Sequence, residues 1–353
     1  MKKKLKGWSR RSFLKASLAA GALTLSGTFL FKHWRKLVGR LLPKPEKRWQ
    51  SETFIAKAAT YEEDIASIIV SGLGELGVTP NEVRGKKILL KPNLVETRVG
   101  AGHINTHPLV IRGAVDAFLK LGAASVIVAE GPGHCRDSML ILEESGLSDA
   151  LYENQIQFVD LNYEAWYTIP NASHISRLET LTFPAILRQV DWIVSMAKMK
   201  THHWAGVTLS MKNLFGVMPG IFYGWPKNVL HMAGIERCIL DINAALRPHF
   251  AIVDGIVGME GDGPIMGLPR HAGVIVMGRN LTAVDATCSR IMEVPPQNVR
   301  YLVAASLCLG PINEPDIPQL GENISSVRTR FKLLDYIPTQ KGLRMQEIIN
   351  RTQ

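Results

Sequence analysis

Five short apolar runs recur along the chain, in KKILLKPN, SVIVAEGPG, DWIVSMAKMK, HFAIVDGIVG and AGVIVMGRN. Each holds three to five nearly unbroken Ile, Leu, Val, Ala or Met residues. A strand with one wet face alternates apolar and polar residues; these do not, so both of their faces must be covered. Between them lie stretches with helical spacing. YEEDIASIIVSGLGELG is one, and HPLVIRGAVDAFLKLGA, with Pro108 in its first turn and Gly122 at its end, is another; further patterns occupy 226–246, 281–292 and 297–309. TFIAKA adds a short strand ahead of them. The expected fold is therefore α/β: a layered, largely parallel sheet with helices on both faces, over residues 51–310. Residues 151–190, with Trp166, Tyr167 and Pro170, are expected to form an irregular insertion or cap. Residues 311–353 are expected to be a peripheral segment supplying at most an edge strand.

The residues just after each run suggest where chemistry would sit. The runs lead, in order, into Lys91-Pro92-Asn93, Glu130-Gly131-Pro132-Gly133-His134, Lys198 to His202, Asp254-Gly255 and Gly278-Arg279-Asn280. In an open parallel sheet these carboxyl-end loops share one edge, where ligands bind. Five loops are thus expected to meet there. Pro92 would stop its strand and hold Lys91 and the Asn93 amide at the rim, although a plain turn accounts for it equally well.

One segment withholds every countercharge. Between Asp191 and Glu236 there are 44 residues without a carboxylate, yet they carry Lys198, Lys200, Lys212, Lys227, His202, His203 and His231. Any one of these lysines could be an ordinary solvated surface group. Grouped after an apolar strand, and succeeded by GVTLSMKNLFG as a candidate helix start, they suggest a receptor for carboxylate or phosphate. Lys91, Asn93, Lys198, Thr201, Lys212 and Asn213 are the candidate ligand-binding side chains. DGIVGMEGDGPIMG has five glycines in 14 residues, so Gly255, Gly261 and Gly263 are expected to let backbone approach the ligand. Lys200, His202, Asp254 and Glu260 are the candidate catalytic residues. His202, Asp254 and Glu260, with His231 as another contributor, are the candidate ligands for a divalent metal, without the fixed spacing of a known site. His202 and His203 are expected to point apart, so at most one would serve. Asp285 in LTAVDATCSRIM falls on a mostly apolar helical face and needs hydrogen bonds or a cation, for which Lys91 and Lys212 are candidates.

The formal charge of +10 points first to nucleic acid, but its location removes that inference. Residues 1–48 carry 14 of the 41 Lys and Arg and a single acid, leaving 27 basic against 30 acidic groups in the rest. Within residues 1–50, a basic stretch, a run of 16 mildly apolar residues from Ala16 to Phe31, and a second basic stretch succeed one another. Ser9-Arg10-Arg11-Ser12-Phe13-Leu14-Lys15 resembles the twin-arginine export signal. That resemblance implies the twin-arginine translocase as a partner and an extracytoplasmic location, in the periplasm or on the outer face of the cytoplasmic membrane. Cleavage and retention as an amino-terminal anchor are both open. The four cysteines, Cys135, Cys238, Cys288 and Cys308, form no Cys-x-x-Cys, so no self-contained iron–sulfur cluster is expected.

In order along the chain, LLKPN, VDWIVSMAKMKTH, TLSMKNLFGVMPG, VDGIVGMEGDGPIMG and AVDATCSRIM resemble the bacterial and archaeal family called domain of unknown function 362. The resemblance covers roughly residues 86–305. Many relatives carry a ferredoxin-like iron–sulfur module, whose cysteines this chain lacks, and the family is associated with redox chemistry. Relatives often have Asp where this chain has Glu130 and Asn280, which makes those two poorer catalytic candidates. The expected function is binding of a small anionic ligand, carboxylate or phosphate, at a lysine-rich, metal-assisted site on the sheet's carboxyl edge. The alternative is a non-catalytic accessory protein for an extracytoplasmic or membrane redox system. A third reading, a hydroxy-acid racemase or isomerase, rests on a general similarity of layout to nickel-cofactor racemases and needs a covalently modified lysine.

Overall fold

The computed structural model describes residues 49–96, 100–134 and 137–344. The export-signal stretch in residues 1–48 and Cys135 lie outside them. Among the described residues, no helix is long and apolar enough to cross a membrane.

The apolar runs are strands of one nine-stranded sheet. They are β2 (Lys87–Lys91), β3 (Ser125–Glu130), β7 (Trp192–His202), β9 (Phe250–Glu260) and β10 (Leu268–Gly278). With β1 (Thr53–Lys57), β4 (Gln157–Asp160) and β11 (Gln319–Gly321), the order across the sheet is β11-β1-β10-β9-β7-β2-β3-β4, and β8 (Gly206–Thr208) folds back on β7. The central strands β9, β7, β2, β3 and β4 run parallel. β10 is antiparallel to both β9 and β1.

Both faces are covered. Ile88 and Leu90 of β2, Val126 and Val128 of β3, and Val194 and Met196 of β7 point into one core, alternating with residues that face the other side. Over this core lie α1 (Ile65–Glu75) and α2 (Pro108–Lys120), with α3 (Ser138–Glu144) and α4 (Leu147–Glu153) beside them. Pro108 occupies the first turn of α2, where its missing N–H costs no helical bond. The other group comprises α5 (Ser210–Asn213), α6 (Asn228–Leu246), α7 (Leu281–Ile291) and α8 (Arg300–Ala305), packed on one another, with α7 also against β9 and β10.

Several expectations change at this level. β7 runs through Lys198 and Lys200 to His202, and β9 runs through Asp254 to Glu260, so residues expected in loops are inside strands. Residues 151–190 are not wholly irregular: they contain the edge strand β4 and a two-stranded antiparallel sheet of β5 (Trp166–Pro170) and β6 (Thr180–Pro184). Beyond Gly310, β11 is the expected edge strand, paired parallel with β1. The residues after it are more than peripheral. Lys332 N donates to Glu260 at 2.8 Å, Gln340 Nε2 to the Gly261 carbonyl at 2.7 Å, and Thr339 Oγ1 to the His203 carbonyl at 2.5 Å. This segment fastens the turns that leave β7 and β9.

Asp285 is fully buried on α7, and among the described residues no cation answers it. Its carboxylate accepts from Ser210 N, Ser210 Oγ, Met211 N and the Tyr301 hydroxyl at 2.5–3.2 Å. Burial pushes it up to about 7 against the opposing pull of these donors. It therefore caps α5 and joins it to α7 and α8. Replacing Asp285 by Ala leaves four donors unanswered, and urea unfolding is expected to show a loss of about 3 kcal/mol or more.

Candidate functional site

A cavity of about 400 Å³ opens at the carboxyl ends of the parallel strands. Residues at the ends of four of the five strands meet around it: Lys91, Asn93 and Leu94 after β2, Glu130 to His134 after β3, His202 to Trp204 after β7, and Asp262 to Met266 after β9, in place of the expected Asp254-Gly255, which lies inside β9. The fifth does not, because β10 runs the other way. Arg279 makes its ion pair with Glu82, and Asn280 caps α7, on the opposite edge. The remaining wall comes from Thr208, the Lys212–Gly216 turn and the residues around the start of α6, Pro226, Lys227 and His231.

The floor is an ion pair. Lys91 Nζ lies 2.6 Å from Glu130 Oε2, and both residues are almost wholly buried. The ammonium also donates to Asn213 Oδ1 at 2.8 Å and to the Pro92 carbonyl at 2.7 Å, so its three protons are all used. Glu130 in turn accepts from the backbone N–H of Leu94 and Gly131. Burial pushes Lys91 down and Glu130 up, while each partner opposes the other's shift. Lys91 and Asn213 are thus on the site as expected but act as its framework, and Glu130, rated a poor candidate from sequence, is their keystone. Gly216 lies against this pair. A Cβ there would stand 2.5 Å from Lys91 Nζ and closer still to the Glu130 carboxylate, so only glycine fits.

Above the floor the polar groups are unspent. Asn93 Oδ1 and Thr208 Oγ1 are buried without a hydrogen-bond partner, in residues only 7% and 4% exposed. Buried polar atoms of this kind are rare unless something outside the chain completes them. Lys212 has no carboxylate within ion-pair distance among the described residues; its ammonium sits 3.9 Å above the Phe215 ring. Among the described residues the ammonium of Lys227, in a left-handed backbone conformation with φ 65°, donates only to Asn162 Oδ1. Burial first, and then the neighbouring Lys91, bring Lys212 down to about 7; burial also brings Lys227 to about 7, where Glu130 resists the shift.

His202 and His231 are held in the neutral form. His202 Nδ1 accepts from the N–H of Trp204 and Ala205 at 2.9 and 3.2 Å, so the proton of the neutral ring is on Nε2. Burial, reinforced by Lys212, holds it well below the usual imidazole range. His231 has the other tautomer. Its Nδ1 donates to the Lys227 carbonyl at 3.0 Å, leaving a lone pair on Nε2, and burial lowers it to about 4. Contrary to expectation, His202 and His203 line the same cavity, because β7 ends at His202 and the chain turns there. His203 Nδ1 lies 3.2 Å from Asp262 Oδ1, a rim contact the sequence did not suggest.

Other expected residues lie elsewhere. Lys198 and Asp254 are fully buried and spent on one another at 2.7 Å. The Tyr61 hydroxyl accepts from Lys198 and donates to Asp254, and the His107 and Ile256 N–H groups also donate to Asp254. That network is structural, and burial and Asp254 raise the Tyr61 hydroxyl well above its usual range. Glu260 holds Lys332 N and lies 3.8 Å from Arg270. Thr201 donates to the carbonyl of Gly261, whose φ of 82° favours glycine, and a Cβ on Gly263 would collide with the Thr201 carbonyl, so these glycines serve the turn's shape and packing. A Cβ on Gly255 would run into Met199 and Val274, again a packing role. The metal trio is not assembled: among the described residues no three His, Cys, Asp or Glu side chains gather as a metal would need. In its observed tautomer His202 also has no lone pair to offer at Nε2. The helix start at Ser210 is closed to ligands because Asp285 already caps it.

Lys200 is the outlier. Its side chain is fully buried, its one hydrogen bond is to the Pro264 carbonyl at 3.3 Å, and among the described residues no carboxylate answers it. Pro264 is part of the cavity wall, so the amine stands directly behind it. Burial, then Lys198, Lys212 and Lys91, hold it well below its usual range. The folded protein therefore holds this proton less tightly than the unfolded chain does, and the amine lowers stability below about pH 10.5. Lys200→Met is expected to raise unfolding free energy by about 1 kcal/mol or more at pH 7, with the gain shrinking as pH approaches 10, measured by urea unfolding at both.

Comparison with known proteins places these features in a wider group. Thylakoid-associated protein sll1697 of Synechocystis sp. is 27% identical over 241 residues, 66% of this chain and 71% of that protein. Among solved structures, the lactate racemase apoprotein of Thermoanaerobacterium thermosaccharolyticum aligns at 16% identity with a TM-score of 0.42, over 71% of this chain and 59% of that one. A Thermotoga maritima protein aligns at 17% identity with a TM-score of 0.37, over 64% and 57%. The chain spans less than two thirds of the length of either solved structure. The model of the family described as Domain of unknown function (DUF362) matches residues 88–290, more than half of the chain, and the protein belongs to that family.

Proposed function

We propose that this protein binds a small anionic ligand, carboxylate or phosphate, in the cavity at the carboxyl edge of the sheet. The observation that carries this is Lys212: an amine at a cavity wall with no acid paired to it among the described residues, beside Lys227 and the unpartnered Thr208 hydroxyl. An anion would supply the missing charge to the lysines. It would accept the Nε2–H of His202 and the hydroxyl of Thr208. Exclusion of water around these groups strengthens each contact. The ligand's charge also decides the proton count. With Lys212 and Lys227 near 7, a bound anion favours their charged forms and draws protons in.

A second function, as an accessory protein at a membrane redox system, is favoured by one observation. The Synechocystis relative is named as thylakoid-associated. The exposed Trp166 and Phe222, packed edge to face at 4.8 Å, offer a partner surface. For either function we propose export by the twin-arginine route, supported by the Arg10-Arg11 motif.

Two measurements test these proposals. Isothermal titration with benzoate, which stays ionised throughout, is expected to show binding at pH 6 that weakens at least tenfold by pH 9, as Lys212 and Lys227 lose their protons. Lys212→Ala should weaken it at pH 6 by about tenfold, and equal affinity in that variant removes the proposal. Fractionation of cells carrying Arg10→Lys with Arg11→Lys is expected to leave the protein in the cytoplasm, whereas unchanged export would exclude the twin-arginine route.

A further inference from the structure

The cavity has two kinds of lining. Lys227, Asn93, Thr208 and His202 are buried in its lining, with Lys212 half-buried beside them. Its side wall is apolar: Leu94 and Phe215 are buried, and Val95 and Ile265 rest on the small cluster of Ala101, Ile104 and Met259, which keeps that wall from collapsing inward. Two wall residues are large, apolar and open to solvent, Trp204 at 49% and Met266 at 72% exposure. Trp204 does not hang free. The His203 and His231 rings pack against it edge to face, at 4.6 and 4.8 Å between centroids. A bare carboxylate or phosphate is the size of a few water molecules, each of which takes about 30 Å³ in the liquid. It would use a minor part of about 400 Å³ and leave the apolar wall uncovered.

Resting on the anion-binding proposal above, we infer that the ligand is an amphiphilic anion, whose carboxylate or phosphate reaches Lys212 and whose apolar chain or ring leaves across Trp204 and Met266. Scattered exposed apolar residues are common on any protein and mean little singly. Here both flank the opening of a cavity whose lysines are more buried than they are, and one is held in orientation by two histidines. A chain passing between them is shielded from water on the side facing the protein, and each fully buried methylene tightens binding about fourfold.

Titration of the full chain at pH 6 with inorganic phosphate, butyl phosphate and octyl phosphate tests this, each kept below the concentration at which it aggregates. Octyl phosphate is expected to bind at least tenfold more tightly than butyl phosphate, and butyl more tightly than inorganic phosphate. Trp204→Ser and Met266→Ser should each shrink the octyl-to-inorganic ratio at least threefold, with circular dichroism reporting that the variants are folded. Equal affinity for all three phosphates overturns the inference while leaving the anion site standing. Octanol binding as tightly as octyl phosphate also overturns it, since the head group would then be unread. Failure of every phosphate and of benzoate removes the anion site itself. Phosphatidate vesicles that displace octyl phosphate identify a membrane lipid as the source of the amphiphile; vesicles that do not displace it identify a soluble one.

Discussion

The contact between Lys91 and Glu130 holds the candidate site together. It joins the ends of two neighbouring parallel strands, and through Asn213 it reaches the turn that closes the cavity from the far side. Asn213 Nδ2 donates back to the Lys91 carbonyl and to Ser195 Oγ on β7, so three strands and one helix share a single polar knot. A buried pair of this kind costs desolvation and is sustained only when every lone pair and proton finds a partner. Here the ammonium has three acceptors, and the carboxylate accepts two N–H groups besides the lysine. Gly216 marks how tight the fit is, since even one added carbon has no room.

This full satisfaction below makes the incompleteness above informative. The chain has acids within reach of its buried cations where it uses them, at Lys91 and at Lys198. Among the described residues Lys200, Lys212 and Lys227 are left without them, and after burial the neighbouring lysines lower the first two further, Lys198, Lys212 and Lys91 acting on Lys200 and Lys91 on Lys212. A protein selected only for stability would remove such amines. Their presence at or behind one cavity, together with polar atoms that nothing among the described residues completes, is what motivates the proposed anionic ligand.

The architecture was legible because strand periodicity and helical spacing are local properties. Continuous apolar runs from β2 to β10 marked strands covered on both sides, and Pro108 and Gly122 bracketed a helix at its ends. Direction was not legible. Nothing in AGVIVMGRN distinguishes a parallel strand from an antiparallel one, so the Arg279–Asn280 loop was expected at the wrong edge. Strand length misled as well: glycines in DGIVGMEG suggested a loop, yet β9 continues through them because Gly255 and Gly258 let Met199 and Phe331 pack close. Of the candidate site, the acid-free segment contains Lys212 and His202, which line the cavity. Pairing is a tertiary fact, however, and hid that Lys198 and Asp254 neutralise each other. Glu130 and Lys227 were underrated for the same reason, since their importance comes from neighbours 39 and 65 residues away in sequence. The unpartnered Thr208 had no sequence signal at all.

The clamp formed by Lys332, Thr339 and Gln340 has a temporal consequence. It links residues 72, 136 and 79 positions apart, the kind of distant closure that forms slowly and late. During synthesis the floor of the cavity, made from residues 91–216, leaves the ribosome well before the strap that pins its lip. Because residues 332–340 are synthesised after the turns they fasten, those turns lack these three contacts until the strap arrives.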